Sequence, residues 1–120
     1  VTELKLRLLF EGAMLGPGKA DLLERIRDSG SISAAGRAMG MSYKRAWSLV
    51  EEMNATWRVP LVASARGGPG GGGAQLTEAG HEVLRLYRAV LDRAAAAAAP
   101  ELAALERMLG PAGEDMSGGK

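Results

Sequence analysis

Three features of this chain predict a mainly α fold with a small β wing. An alternating apolar stretch opens the chain. Two short helices then follow with only three residues between them, and a glycine-rich hairpin precedes one long helix. With 120 residues, one domain is expected. At 47% hydrophobic and 24% charged residues, the composition suits a packed core rather than a disordered segment.

The elements follow in order. ELKLRLLF (3–10) sets Leu4, Leu6 and Leu8 against Lys5 and Arg7, the period of a half-buried strand, and EGAMLGPG breaks it. KADLLERIRD (19–28) places Leu22, Leu23 and Ile26 on one helical stripe, closed by Ser29 and Gly30. In SISAAGRAMGMS (31–42), Ser31 or Ser33 can cap a two-turn helix that Gly40 ends. Ser42 can cap a third helix, YKRAWSLVEEMNATW, which runs towards Pro60. LVASA (61–65) and AQL (74–76) read as strands joined by RGGPGGGG (66–73), a loop longer than most hairpin tips. Thr77 can cap a helix from Glu78 to about Ala99. Its apolar positions recur at three- and four-residue steps, and it ends in six alanines. Pro100 kinks or restarts it, and ELAALERML continues to Gly110-Pro111. AGEDMSGGK is polar and expected to be disordered.

The gap Gly40-Met41-Ser42 is helix-turn-helix spacing. Strand, three helices, hairpin and helix together make a winged helix-turn-helix whose third helix is the recognition helix. The expected domains are 1–77 for the winged unit, 78–110 for a long dimerisation helix broken at Pro100, and 111–120 for the tail.

Net charge is only +1, so nothing in the bulk argues for a nucleic-acid partner. The case rests on where the cations sit. On a helix from residue 43, Tyr43, Trp47 and Val50 share one face, flanked by Ala46 and Met53. Lys44, Arg45 and Ser48 point elsewhere. The reading is that the rings seat the helix against the body while two cations face out from its leading end. Trp47 is placed in the core. Tyr43 is open between core and contact, since at the first turn its hydroxyl can reach a phosphate while its ring packs. Lys44 suits a phosphate, and Arg45 can read a guanine bidentately. The expected DNA contacts are Ser33, Ser42, Tyr43, Lys44, Arg45 and Ser48, with Arg66 and Gly67 on the wing. Ser33 would touch the backbone from the preceding helix. The bland alternative for Lys44-Arg45 is a solvated helix face.

GSISAAGRAMGMSYKRAWSLVEEMN followed by LVASARGGPGGGGAQLTEAGHEVLRLY resembles the N-terminal DNA-binding domain of the ModE-type molybdate-responsive transcriptional regulators. The shared features are GSIS, G-x-SYK-x-AW, EMN and GG-x-GGGGA-x-LT-x-x-G, spanning Gly30 to Tyr87. VPL (59–61) and LTEAG (76–80) are similar, more distantly, to the wing edges of LysR-type regulators. The resemblance implies a winged-helix dimer that binds operator DNA near molybdenum-related genes as a repressor-type regulator; the long C-terminal helix favours a two-fold homodimer facing a near-palindromic site, and the lack of cysteine suits the cytoplasm. Members of that family also carry an oxyanion-binding region. None is expected in these 120 residues, so no cofactor is assigned to this chain, and molybdate sensing would fall to a separate domain or protein. Pro69 stands where the family's glycine loop is often basic.

Gly68-x-Gly70-x-x-Gly73 matches a dinucleotide fingerprint formally, but no βαβ series follows it. The glycines are not followed by the Lys-Ser/Thr of a phosphate-binding loop. There is no cysteine, and His81 is the lone histidine, so neither a metal site nor a catalytic residue is expected. No apolar run spans a membrane, and no signal peptide is expected. The strip Val83, Tyr87, Val90, Leu91, Ala94, Ala98 and Leu102 is expected to pack on a twin. The alternatives are a winged-helix protein-interaction module that binds no DNA and a stand-alone molybdate carrier.

Overall fold

The structure, a computed structural model, describes residues 2–65 and 73–111. The expected disordered segment 112–120, the tip of the glycine loop with Pro69, and the wing candidates Arg66 and Gly67 lie outside the described residues.

The chain opens with an antiparallel hairpin, β1 (Leu8–Phe10) and β2 (Ala13–Leu15), in register Leu8↔Leu15, Leu9↔Met14 and Phe10↔Ala13. A single strand over 3–10 followed by a break was expected. Instead the first half of that stretch is extended but unpaired, and Glu11-Gly12 turns the chain back on itself, with Gly12 at φ 81°. The alternation holds throughout: Leu4, Leu6 and Leu8 are half-buried, and Lys5 and Arg7 are exposed.

Helix α1 (Pro17–Ser29) starts two residues earlier than the apolar stripe suggests, because proline fits the first helical turn, where its missing N–H is not needed. Gly30 closes it, its N–H donating to the Ile26 carbonyl at 2.8 Å. Helix α2 (Ile32–Ala38) is capped by Ser31, whose hydroxyl accepts from the Ala34 N–H at 3.0 Å. Helix α3 (Tyr43–Thr56) is capped by Ser42, which accepts from the Arg45 N–H at 3.0 Å. The wing hairpin is β3 (Val62–Ala65) against β4 (Gly73–Leu76), with Val62 opposite Leu76 and Ala65 opposite Gly73. Helix α4 (Glu78–Ala97) follows, and α5 (Ala99–Arg107) is the last element among the described residues.

The break between the last two helices falls at Ala98 rather than at Pro100. Proline cannot donate the bond that would close the preceding turn, but it fits the first turn of a new helix. The helix therefore resets just before it.

Leu22, Leu23 and Ile26 of α1 are fully buried and form the centre of the core. Ala35, Ala46, Val50, Met53, Leu61, Leu84 and Tyr87 pack around them. Each large aliphatic side chain buried this way contributes roughly 1.5–3 kcal/mol. Two glycines set how closely elements approach. A Cβ on Gly36 would come within 2.7 Å of the Ala46 Cβ, so α2 and α3 cross with almost nothing between them. A Cβ on Gly80 would lie 2.2 Å from the Leu61 carbonyl oxygen, so the start of α4 presses on the backbone entering the wing.

Polar side chains lock the same joints. Asn54 clamps α3 to β3: its Oδ1 accepts from the N–H of Leu61 at 2.9 Å and of Val62 at 3.1 Å, and its Nδ2 donates to the Val62 carbonyl at 3.0 Å. Thr77 caps α4 by accepting from the Gly80 N–H at 3.0 Å, and its hydroxyl donates to the Pro60 carbonyl at 2.7 Å. The Ala74 N–H donates to the Gly30 carbonyl at 2.9 Å, tying the wing base to the turn between α1 and α2. Lys19, almost wholly buried, joins three elements: its ammonium donates to Glu52 on α3 at 3.0 Å and to the Met14 carbonyl on β2 at 3.3 Å. These joints hold α2, the start of α3 and the wing base on one side of the molecule.

Candidate nucleic-acid interface

That side is built around the start of α3. Ser42 spends its hydroxyl on the helix cap, which leaves the first turn of α3 well formed and its positive dipole end towards solvent. Lys44, Arg45 and Ser48 are exposed. Among the described residues, neither the Lys44 nor the Arg45 side chain has an ion pair or a hydrogen bond. Elsewhere Arg27 pairs with Asp28 and Glu24, Arg85 with Glu82, and Arg88 with Asp21 and Glu24. Among the described residues Lys5, Arg7, Arg25, Arg58, Arg93 and Arg107 are exposed and unpaired as well, and what distinguishes Lys44 and Arg45 is their place side by side at a capped helix start. Ser33 is half-buried and accepts from Arg37 Nη1 at 3.1 Å. Arg37 joins this face and was missed at the sequence level. The four-residue spacing of Ser33 and Arg37 on α2 was the signal for it.

The aromatic residues depart from expectation. The sequence predicts Trp47 in the core and leaves Tyr43 open between core and contact. In the structure Tyr43 is 58% exposed and Trp47 37% exposed. Only Val50 of that expected face is buried. The helix is seated by Ala46, Val50 and Met53 instead. The cause is the close crossing at Gly36 and Ala46, which tucks that flank of α3 under α2 and swings the Tyr43–Trp47 flank past its edge. The two rings meet edge to face with centroids 6.3 Å apart, and the indole N–H of Trp47 donates to the Tyr43 hydroxyl oxygen. They line a shallow groove of about 270 Å³ whose other walls include Ser31, Ser33, Ser64 and Gly73. Helix start and wing base therefore face each other across it.

On α4 the strip expected to meet a twin divides. Val90 is exposed, and Val83, Leu91, Ala94, Ala98 and Leu102 are half-buried. Tyr87 is only 1% exposed, and its hydroxyl donates to the Leu6 carbonyl at 2.6 Å, so it is used within the protomer. Burial pushes its phenol above the usual range, Asp21 adds to this, and Arg88 opposes it. Leu86, which the sequence reading did not single out, lies exposed near Val90. Both line an almost wholly apolar groove of about 180 Å³ with Phe10 and Trp57. Among the described residues no cluster of His, Cys, Asp or Glu is arranged to hold a metal ion, and no helix is long and apolar enough to cross a membrane.

A capped recognition helix beside a β hairpin, with free cations at its start, defines a winged helix-turn-helix module. Residues 19–81 match the bacterial regulatory helix-turn-helix proteins of the lysR family, and the chain belongs to that family. The chain is 47% identical over 79 residues to the molybdenum-pterin-binding protein MopB of Rhodobacter capsulatus, covering 66% of this chain and 29% of that protein. It is 46% identical over 71 residues to the DNA-binding transcriptional dual regulator ModE of Escherichia coli K12, covering 59% of this chain and 27% of that protein. The chain thus spans less than a third of the length of these relatives. In fold it is similar to the chain in a crystal structure of a CbnR_DBD–DNA complex, with a TM-score of 0.56 and 22% identity, covering 73% of this chain and 95% of that one.

Proposed function

We propose that this chain is the operator-binding part of a molybdenum-related transcriptional regulator that acts as a homodimer on double-stranded DNA. One observation carries the reading: Lys44 and Arg45 stand unpaired at a capped helix start, on the side where the wing base also lies. In this reading α3 enters the major groove. Lys44 neutralises a phosphate, Arg45 reads a guanine, and Ser33, Ser42 and Ser48 add backbone contacts. Arg66 and Gly67 are assigned to the wing's grip. Molybdate sensing is assigned to another domain or protein, and the regulator is taken to be repressor-type and cytoplasmic.

The second copy is assigned to the apolar groove at Phe10, Trp57, Leu86 and Val90, continued along α4 and α5 by Ala94, Ala98 and Leu102. Leu105, Met108 and Leu109 leave further apolar surface at the end of α5, which supports the assignment. A twin seated there would present two recognition helices about 34 Å apart, or a multiple of that, to a near-palindromic site.

Selection of bound sites from random duplexes, followed by titration at several salt concentrations, tests this. Log affinity is expected to fall steeply with log salt. Lys44→Ala should weaken all sequences alike and reduce the salt slope by about one. Arg45→Ala should relax preference at one position by about 1–3 kcal/mol. Parental binding by both variants would remove α3 from the groove. The protein-interaction reading is favoured instead if no duplex shifts at any salt concentration.

A further inference from the structure

Resting on the DNA-binding reading above, we infer that Trp47 is a positioning residue: its indole N–H aims the Tyr43 hydroxyl as a neutral hydrogen-bond donor to a backbone phosphate of the duplex.

The first support is location. Large aromatic side chains usually bury most of their area, yet these two stand at 58% and 37% exposure in the first turns of the helix whose start carries Lys44 and Arg45. At about 100° per residue, Lys44 and Ser48 lie opposite the buried Ala46–Val50–Met53 strip, and Tyr43 and Trp47 lie on the flank between. The flanks of a helix seated in the major groove meet the groove walls, which are sugar and phosphate. The flank bearing the two rings is also the one that faces the wing base across the groove.

The second support is hydrogen-bond direction. The indole of Trp47 can only donate, and it donates to the Tyr43 oxygen. The phenol oxygen therefore acts as an acceptor on that side, and its own hydrogen must point away from the indole. Among the described residues that hydroxyl makes no other hydrogen bond. Accepting a hydrogen bond also strengthens a hydroxyl as a donor. The edge-to-face ring contact holds the phenol at that angle. The pair is a fixed, uncharged donor beside two flexible cations, suited to setting the register of the helix.

The test is a double-mutant cycle of Tyr43→Phe and Trp47→Phe in the full chain, read with the selected duplex and with a random-sequence duplex. Tyr43→Phe keeps the ring and Trp47→Phe keeps an aromatic ring without the N–H, and thermal melts check that folding is unchanged. Tyr43→Phe should weaken both duplexes by about tenfold, the scale of one hydrogen bond to a charged group. The salt slope should stay unchanged, because no charge is lost. Trp47→Phe should weaken binding less than Tyr43→Phe does, and the double variant should bind like Tyr43→Phe alone. The inference is overturned by parental affinity for Trp47→Phe, by additive losses, or by a Tyr43→Phe loss confined to the selected duplex, which would mean a base contact. If the parent binds and Arg45→Ala relaxes preference while Trp47→Phe changes nothing, only this inference fails. If the parent binds neither duplex, the DNA-binding reading fails with it.

Discussion

The two tyrosines of this chain sit in helices of similar apolar spacing and end in opposite situations. Tyr87, on α4, is 1% exposed, gives its hydroxyl to the Leu6 carbonyl, and packs within the core. Tyr43, on α3, is 58% exposed, and its oxygen accepts from a neighbour on its own helix. The tryptophans divide in a similar way. Trp57 is half-buried against the core, edge to face with Phe10 at 5.9 Å, whereas Trp47 stands beside Tyr43 at the rim of the groove. Aromatic residues at helical spacing thus serve stability in one region and a surface in the other. What separates them is whether a second element covers the flank. The extended N-terminal stretch crosses Tyr87, and nothing among the described residues crosses Tyr43.

The contrast can be broken or sharpened by substitution. The largest effect is expected from Tyr87→Ala, which empties a core site and should cost about 3–5 kcal/mol in urea unfolding. Tyr43→Ala should leave the unfolding midpoint nearly unchanged, and equal losses at both positions would erase the distinction. Gly80→Ala drives a Cβ into the Leu61 carbonyl and should cost about 1–3 kcal/mol. Ser42→Ala removes the cap of α3 and should cost about 1 kcal/mol, seen as a lower unfolding midpoint with some loss of helical signal.

The smallest effect is a pH dependence. The folded-state pKa of Tyr87 is raised, so its contribution is complete below the unfolded phenol's value near 10 and is lost as pH rises through the folded value. Stability should therefore decline above about pH 10 in the parent. The decline should be shallower in Tyr87→Phe.

Much of the fold was legible because local chemistry repeats at regular spacing. Ser31, Ser42 and Thr77 each cap the helix the sequence assigned to them, apart from an open choice between Ser31 and Ser33. The spacing of the helix-turn-helix and the wing strands was readable too, and so were the exposed positions of Lys44 and Arg45. The β2 strand was missed because three residues are too few to show a period and Glu11-Gly12 reads equally well as a break. Trp47 was misplaced for a different reason: helical spacing says which residues share a face, not how far along the helix that face stays covered.

The amino-acid order alone determined the helices, their caps and the charges at the start of α3, since those depend on residues within a few positions of one another. Tertiary structure decided which flank of α3 is buried, where the wing base comes to rest and which tyrosine is spent inside. Those outcomes depend on close approaches at Gly36, Gly80 and Gly73 between segments distant in sequence, and a missing side chain reveals its effect only once the opposing backbone is in place.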